Sequence, residues 1–340
     1  MHIPDNYLSP QTCAVMTAVM VPVWAVSIQS VKREIPREKI PMLGVGAAFS
    51  FLGMMFNVPL PGGTTGHAVG GTLLSALLGP YAACFAISAA LLLQALLFGD
   101  GGILSFGANC FNMAFVMPFV GYAVMKGVTG LLNRRFPGKD DRHRIAGLAA
   151  GSYLGINAAA LCAAIEFGIQ PALFRDAAGN ALYCPYGLSV AVPAMMIGHL
   201  TMFGLAEVVY SIAVYSFLRK VSPESSEGML SGKTESITGR VLSGRRGVTA
   251  LLVSLIVLTP AGLLAEGTAW GEWGEEEIAS TGAGYTPAGM ADGFSFRSLL
   301  PDYSFQGMPG WMGYILSAGI GVAVILILFK LIGAKKEKAS

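Results

Sequence analysis

Nine apolar runs, separated by short stretches that hold nearly all of the charge, dominate this 340-residue chain. They cover roughly 12–31, 40–57, 67–80, 81–99, 104–126, 145–168, 188–218, 247–265 and 311–332. A bilayer core about 30 Å thick is crossed by about 20 apolar residues in a helix. The third run is short of that, and Gly79-Pro80 divides it from the fourth. Membrane barrels need strands of about ten residues that alternate polar and apolar. These runs are instead continuous and rich in Leu, Ala, Gly and Met, so helices are expected, each satisfying its own backbone in lipid. Only 12% of residues are charged and mean hydropathy is +0.60, which excludes an ordinary soluble domain. The expected fold is an all-α polytopic helical bundle in the cell membrane.

The basic residues orient it. The loop after the first run carries Lys32, Arg33, Arg37 and Lys39, and the loop after the fifth carries Lys126, Arg134, Arg135, Lys139, Arg142 and Arg144. Arg219, Lys220, Lys233, Arg240, Arg245 and Arg246 follow the seventh, and Lys330, Lys335, Lys336 and Lys338 close the chain. These are twenty of the 22, leaving Arg175 and Arg297 for the opposite face. Cytoplasmic loops hold the Lys and Arg excess, so the N-terminus is expected outside and the C-terminus inside.

On the outside face the chain begins Met1-His2-Ile3-Pro4-Asp5. With no signal peptide ahead of it, Met1 is expected to keep a free amine. That amine, the His2 amide nitrogen and the His2 Nδ1 can close a five-membered and a six-membered chelate ring in one plane. A fourth nitrogen would complete a square, the geometry of Ni(II) or Cu(II). His67 supplies a candidate, at the end of the Gly- and Pro-rich segment Asn57 to Gly66, whose backbone can turn tightly. The alternative for His67 is a helix-start imidazole satisfied by Thr64 or water. The outside turn from Phe98 to Asn109 offers Asp100 and Asn109 as groups that fix imidazole tautomers. A plain re-entry turn explains its glycines equally well.

Other polar residues read differently. His143 sits between Arg142 and Arg144 and is expected to be solvated or near headgroups. His199, Glu166 and Glu207 fall within apolar runs, where ionisable groups are costly and are either paired or on an ion pathway. Cys13, Cys84, Cys110, Cys162 and Cys184 have no CxxC spacing and are expected to be buried free thiols. Glu266, Glu272, Glu275, Glu276 and Glu277 form an acidic outside stretch, read as a solvated face or as a means of raising local cation concentration.

Three segments together, MHIPDNYLSP, PGGTTGHAVGGTLL and QALLFGDGGILSFGANCFNMAF, resemble the CbiM/NikM family, the metal-binding S components of energy-coupling factor transporters for cobalt and nickel. The resemblance implies that Met1, His2 and His67 hold the metal, Ni(II) or Co(II), as transported substrate. It covers residues 1–220 as a seven-span S component. A Ser-, Glu- and Gly-rich stretch at 221–246 reads as a cytoplasmic linker. Residues 247–340, with GLLAEGTAWGEWGEEE and PDYSFQGM, resemble the two-span N component and its PDGLE relatives, departing from them where Pro301-Asp302 continues as Tyr303-Ser304.

No GxxxxGK[ST] loop is present, so ATP hydrolysis by that route must come from other chains. The resemblance implies a CbiQ/NikQ-like transmembrane T subunit and two cytoplasmic CbiO/NikO-like ATP-binding subunits. Ala14 and Ala18, one turn apart in the first run, form a small-residue face suited to the T subunit. No nucleic-acid partner is expected. A metal-gated receptor or channel is the alternative, needing no ATPase. An intramembrane metalloenzyme ranks lower, because HExxH is absent and Asp100 is the one evident general base outside.

Overall fold

The computed structural model describes residues 1–60, 64–221, 245–265, 268 and 270–334. Among these, nine helices of eight residues or more follow in chain order. They are α1 Pro10–Glu34, α2 Ile40–Met54, α3 Gly71–Leu78, α4 Pro80–Phe98, α5 Phe106–Arg135, α6 Asp140–Leu173, α7 Leu188–Lys220, α8 Arg246–Leu264 and α9 Gly310–Gly333. The chain is an all-α polytopic bundle, and each apolar run of the sequence contains one helix. Seven of the nine are long and apolar enough to cross a membrane. The other two are short: α2, of 15 residues, is about 22 Å long and α3, of eight, about 12 Å.

The third crossing is therefore broken. After α2 the chain forms an antiparallel hairpin of β1, Val58–Leu60, and β2, Thr64–Gly66. His67 to Gly70 are not helical, and α3 starts at Gly71. Unwound backbone deep in a bundle needs hydrogen-bond partners. Glu207 on α7, fully buried, provides them by accepting the N–H of Val69 at 2.8 Å and of Gly70 at 3.0 Å. One of the three intramembrane ionisable residues is thus a backbone clamp.

The centre of the bundle is packed through small residues. Gly147, Gly151 and Gly155 recur every fourth residue along α6 and face α5; a Cβ on Gly155 would lie 2.8 Å from the Met117 carbonyl, and one on Gly151 would strike the Gly121 carbonyl. Thr72 of α3 donates to the Gly151 carbonyl at 3.2 Å in the same seam. Such ridges let helices approach closely where the hydrophobic effect cannot drive association. On the other side α9 packs along α2, with Gly321 against Phe51 and Gly44 against Phe329.

The basic ends of the helices gather at one end of the molecule. Arg219 of α7 pairs with Asp141 of α6 at 2.7 Å, and Gly333 at the end of α9 abuts Arg37 and Pro41. By the positive-inside rule this end is cytoplasmic. Residues 222–244 of the expected linker, with Lys233 and Arg240, lie outside the described residues, as do Glu266 and Lys335, Lys336 and Lys338. All five cysteines are unbridged, and only Cys162 is less than fully buried. His143 departs from expectation. It is buried, with Nδ1 donating to Asn133 Oδ1 at 2.7 Å, because the α5–α6 turn folds the helix ends together.

Candidate metal centre

At the opposite end the amino-terminal segment is drawn into the bundle. Met1, His2 and Ile3 are each 4% exposed or less. Ser9 caps α1 by accepting the Thr12 N–H at 3.0 Å, with Pro10 at the first helical position. Residues ahead of this cap are tied down by side chains from distant elements. Asn109 accepts the Ile3 N–H at 2.8 Å and donates back to the Ile3 carbonyl at 3.0 Å. That carbonyl also accepts the Ser105 hydroxyl and the Gly102 N–H. The Asp5 carboxylate accepts N–H groups of Ile103, Leu104 and Ser105 at 3.0, 2.7 and 3.3 Å. Gly102 has no room for a side chain, since a Cβ there would lie 2.5 Å from the Asp5 nitrogen. The loop after α4 and the first five residues thus interlock, mostly by side chains of one bonded to the main chain of the other.

This clamp puts two imidazoles together. His67 Nε2 lies 3.1 Å from His2 Nδ1, and the ring centroids are 4.7 Å apart. His67 Nδ1 is 3.3 Å from the Ala68 carbonyl; donating there fixes the proton on Nδ1 and leaves the Nε2 lone pair facing His2. Two donors at right angles on one ion, each about 2.0 Å from it, are about 2.8 Å apart, near the 3.1 Å spacing of these nitrogens.

No group of three or more His, Cys, Asp and Glu side chains is arranged to hold a metal by itself among the described residues. Further donors must come from the main chain. The Met1 amine is at hand, paired with Glu272 at 3.2 Å. The His2 peptide N–H has no hydrogen-bond acceptor among the described residues.

Carboxylates surround this nitrogen cluster. Asp100 Oδ1 is 3.1 Å from His2 Nδ1, on the same ring atom that faces His67. Its other oxygen accepts the Tyr303 hydroxyl at 2.5 Å and the Gln94 amide at 3.0 Å. Burial, then Asp100, raise Tyr303 well above the usual phenol range and keep it a donor. A cavity of about 300 Å³ adjoins the cluster, lined by His2, His67 and Asp100 with Glu272, Asp302 and Tyr303 from the C-terminal part.

Some expected roles are placed differently. Among the described residues Asn109 hydrogen-bonds no imidazole and holds the Ile3 peptide instead. Thr64 lies in β2 by its backbone, and its side chain is outside the described residues. His199 is buried, with Nδ1 on the Met195 carbonyl at 2.8 Å and Nε2 without a hydrogen-bond partner among the described residues. Glu166 accepts from Asn112 at 2.8 Å. Ala14 and Ala18 are exposed on the outer face of α1. Glu272 and Tyr303 were visible in the sequence only as one glutamate among several and as a motif departure. Gln94, Ser105 and Asp5 carried no signal beyond lying within the segments that resembled a family.

The comparisons with known proteins agree with this architecture. The family described as cobalt uptake substrate-specific transmembrane region matches residues 2–225, and the PDGLE domain matches 245–337. A probable fused nickel transport protein LarMN of Lactiplantibacillus plantarum is 49% identical over 337 residues, 97% of each chain. The fused nickel transport protein NikMN of Rhodobacter capsulatus is 46% identical over 344 residues, 96% of this chain and 95% of its own. A solved structure titled as a transition metal transporter is 50% identical with a TM-score of 0.61, covering 70% of this chain and 100% of that one.

Proposed function

Because the chain belongs to the cobalt uptake substrate-specific transmembrane (CbiM) family of multi-pass prokaryotic membrane proteins, we propose that it is the component that captures Ni(II), or Co(II), outside the cell for transport inward. The ion is bound by the Met1 amine, the deprotonated His2 amide nitrogen, His2 Nδ1 and His67 Nε2. The observation that carries this reading is the 3.1 Å approach of His67 Nε2 to His2 Nδ1 beside a buried amino end. In the four-nitrogen square the His67 position lies next to His2 Nδ1 and opposite the amide, which agrees with that approach. The clamp by Asp5 and Asn109 means that little ordering is left to be done on binding.

Binding displaces protons from the amine and the amide. When the amine turns to the ion it leaves Glu272, and Glu272 and Asp100 then offset the positive charge of the bound ion. Geometry favours Ni(II), the ion of a flat four-nitrogen field. The relatives named as nickel transporters support the same choice.

Energy comes from partners: a T subunit docking on α1 at Ala14 and Ala18, and two ATP-binding subunits beneath it. Residues 1–220 form the S component, 221–246 the linker and 247–340 the fused N component. The test is co-expression with candidate partner chains followed by purification and uptake of radioactive nickel. Co-purification and ATP-dependent uptake are expected. Uptake undiminished without any ATP-binding chain would favour the channel reading. Ala14→Leu with Ala18→Leu is expected to abolish T-subunit association while leaving nickel binding intact.

A further inference from the structure

A cavity of about 370 Å³ opens at the cytoplasmic end of the bundle, far from the metal centre, between α3, α5, α6 and α7. Its polar lining comes from Lys126 and Asn133 on α5, Arg144 on α6 and Tyr215 on α7, over an apolar floor that includes Met125 and Leu148. The Tyr215 hydroxyl is buried and by its geometry closes no hydrogen bond among the described residues, on a residue only 2% exposed. The Arg144 guanidinium lies close enough to act on that hydroxyl. Neither Lys126 nor Arg144 is paired with a carboxylate among the described residues. Asp141, the carboxylate of this neighbourhood, is engaged by Arg219 at 2.7 Å. The Asn133 oxygen is occupied by His143 Nδ1, which leaves its NH₂ group as a donor.

Two cations and two neutral donors facing one cleft match an anion with several acceptor oxygens. Depth narrows the choice. Helix α5 has 30 residues, about 45 Å, against a hydrocarbon core of about 30 Å. Its last ten or so residues therefore stand beyond the core, which brings Lys126 to the level of the headgroup phosphates. Basic pockets between helices at this leaflet suit anionic headgroups. We propose that this cleft is a phosphate-binding site, filled by the headgroup of an anionic phospholipid of the cytoplasmic leaflet or by free phosphate.

The test uses the purified full chain in detergent, with added phosphatidylglycerol or phosphatidylcholine and native mass spectrometry to count retained lipid. Wild-type protein is expected to retain phosphatidylglycerol in preference to the zwitterionic lipid. Lys126→Gln with Arg144→Gln is expected to lower that retention about thirtyfold, and Tyr215→Phe to lower it severalfold. Monodisperse elution and unchanged helical circular dichroism check that each variant is folded; if the double variant fails this check, Tyr215→Phe decides alone. Displacement of lipid by millimolar inorganic phosphate supports a site open to free phosphate, and lack of displacement supports a headgroup site. Wild-type retention of phosphatidylglycerol by the folded variants would overturn the proposal.

Discussion

His67 is asked to do two things, to sit in a buried place and to present one particular nitrogen. Removing it as His67→Ala takes away one of four donors. Equilibrium dialysis should show nickel affinity falling by roughly 100-fold or more, beyond the 10- to 100-fold typical of losing a supporting partner. Asn109→Ala leaves the Ile3 N–H without its acceptor, a cost of about 1–3 kcal/mol. Nickel affinity should weaken about tenfold as the amino end loosens, measured by the same dialysis. That Asn109 belonged near the centre was legible in the sequence. That it holds a peptide was not, because a polar side chain in a loop does not disclose its partner.

Elements explain why the imidazoles meet at all. A continuous apolar run at 67–80 reads as helix throughout, yet four of its residues are unwound ahead of α3. The cause is Glu207, 138 positions from Val69, and no local pattern announces so distant a partner. Glu207→Ala would strand two buried N–H groups at about 1–3 kcal/mol each. It should lower the thermal midpoint and weaken nickel binding together, whereas Glu207→Gln, which keeps an acceptor oxygen, should retain most of both. The α6 glycine ridge makes an independent prediction. Gly151→Leu overpacks the seam with α5 and α3 and should cost at least about 1–3 kcal/mol, seen as a lower thermal midpoint. The number and order of helices were legible because bilayer thickness imposes run length. The lengths of α2 and α3 were not, because hydropathy does not distinguish helix from buried extended chain.

On the scale of the whole molecule, the two ends have opposite chemistry. Basic residues crowd one end and the amino terminus lies buried at the other, covered by residues from both family regions. Ala177→Cys, between α6 and α7, should react with a membrane-impermeant thiol reagent added to intact cells. Pro137→Cys, between α5 and α6, should react only after lysis. The fused part reaches the centre through Glu272 and Tyr303, a convergence of residues some 200 to 270 positions from their partners that sequence spacing cannot foretell. The amino end decides the account most directly. Calorimetric titration of nickel into purified protein should give tight binding when Met1 is the first residue, and none of comparable strength when one glycine precedes it or the amine is acetylated. Equally tight binding by the extended or acetylated chain would contradict the four-nitrogen centre.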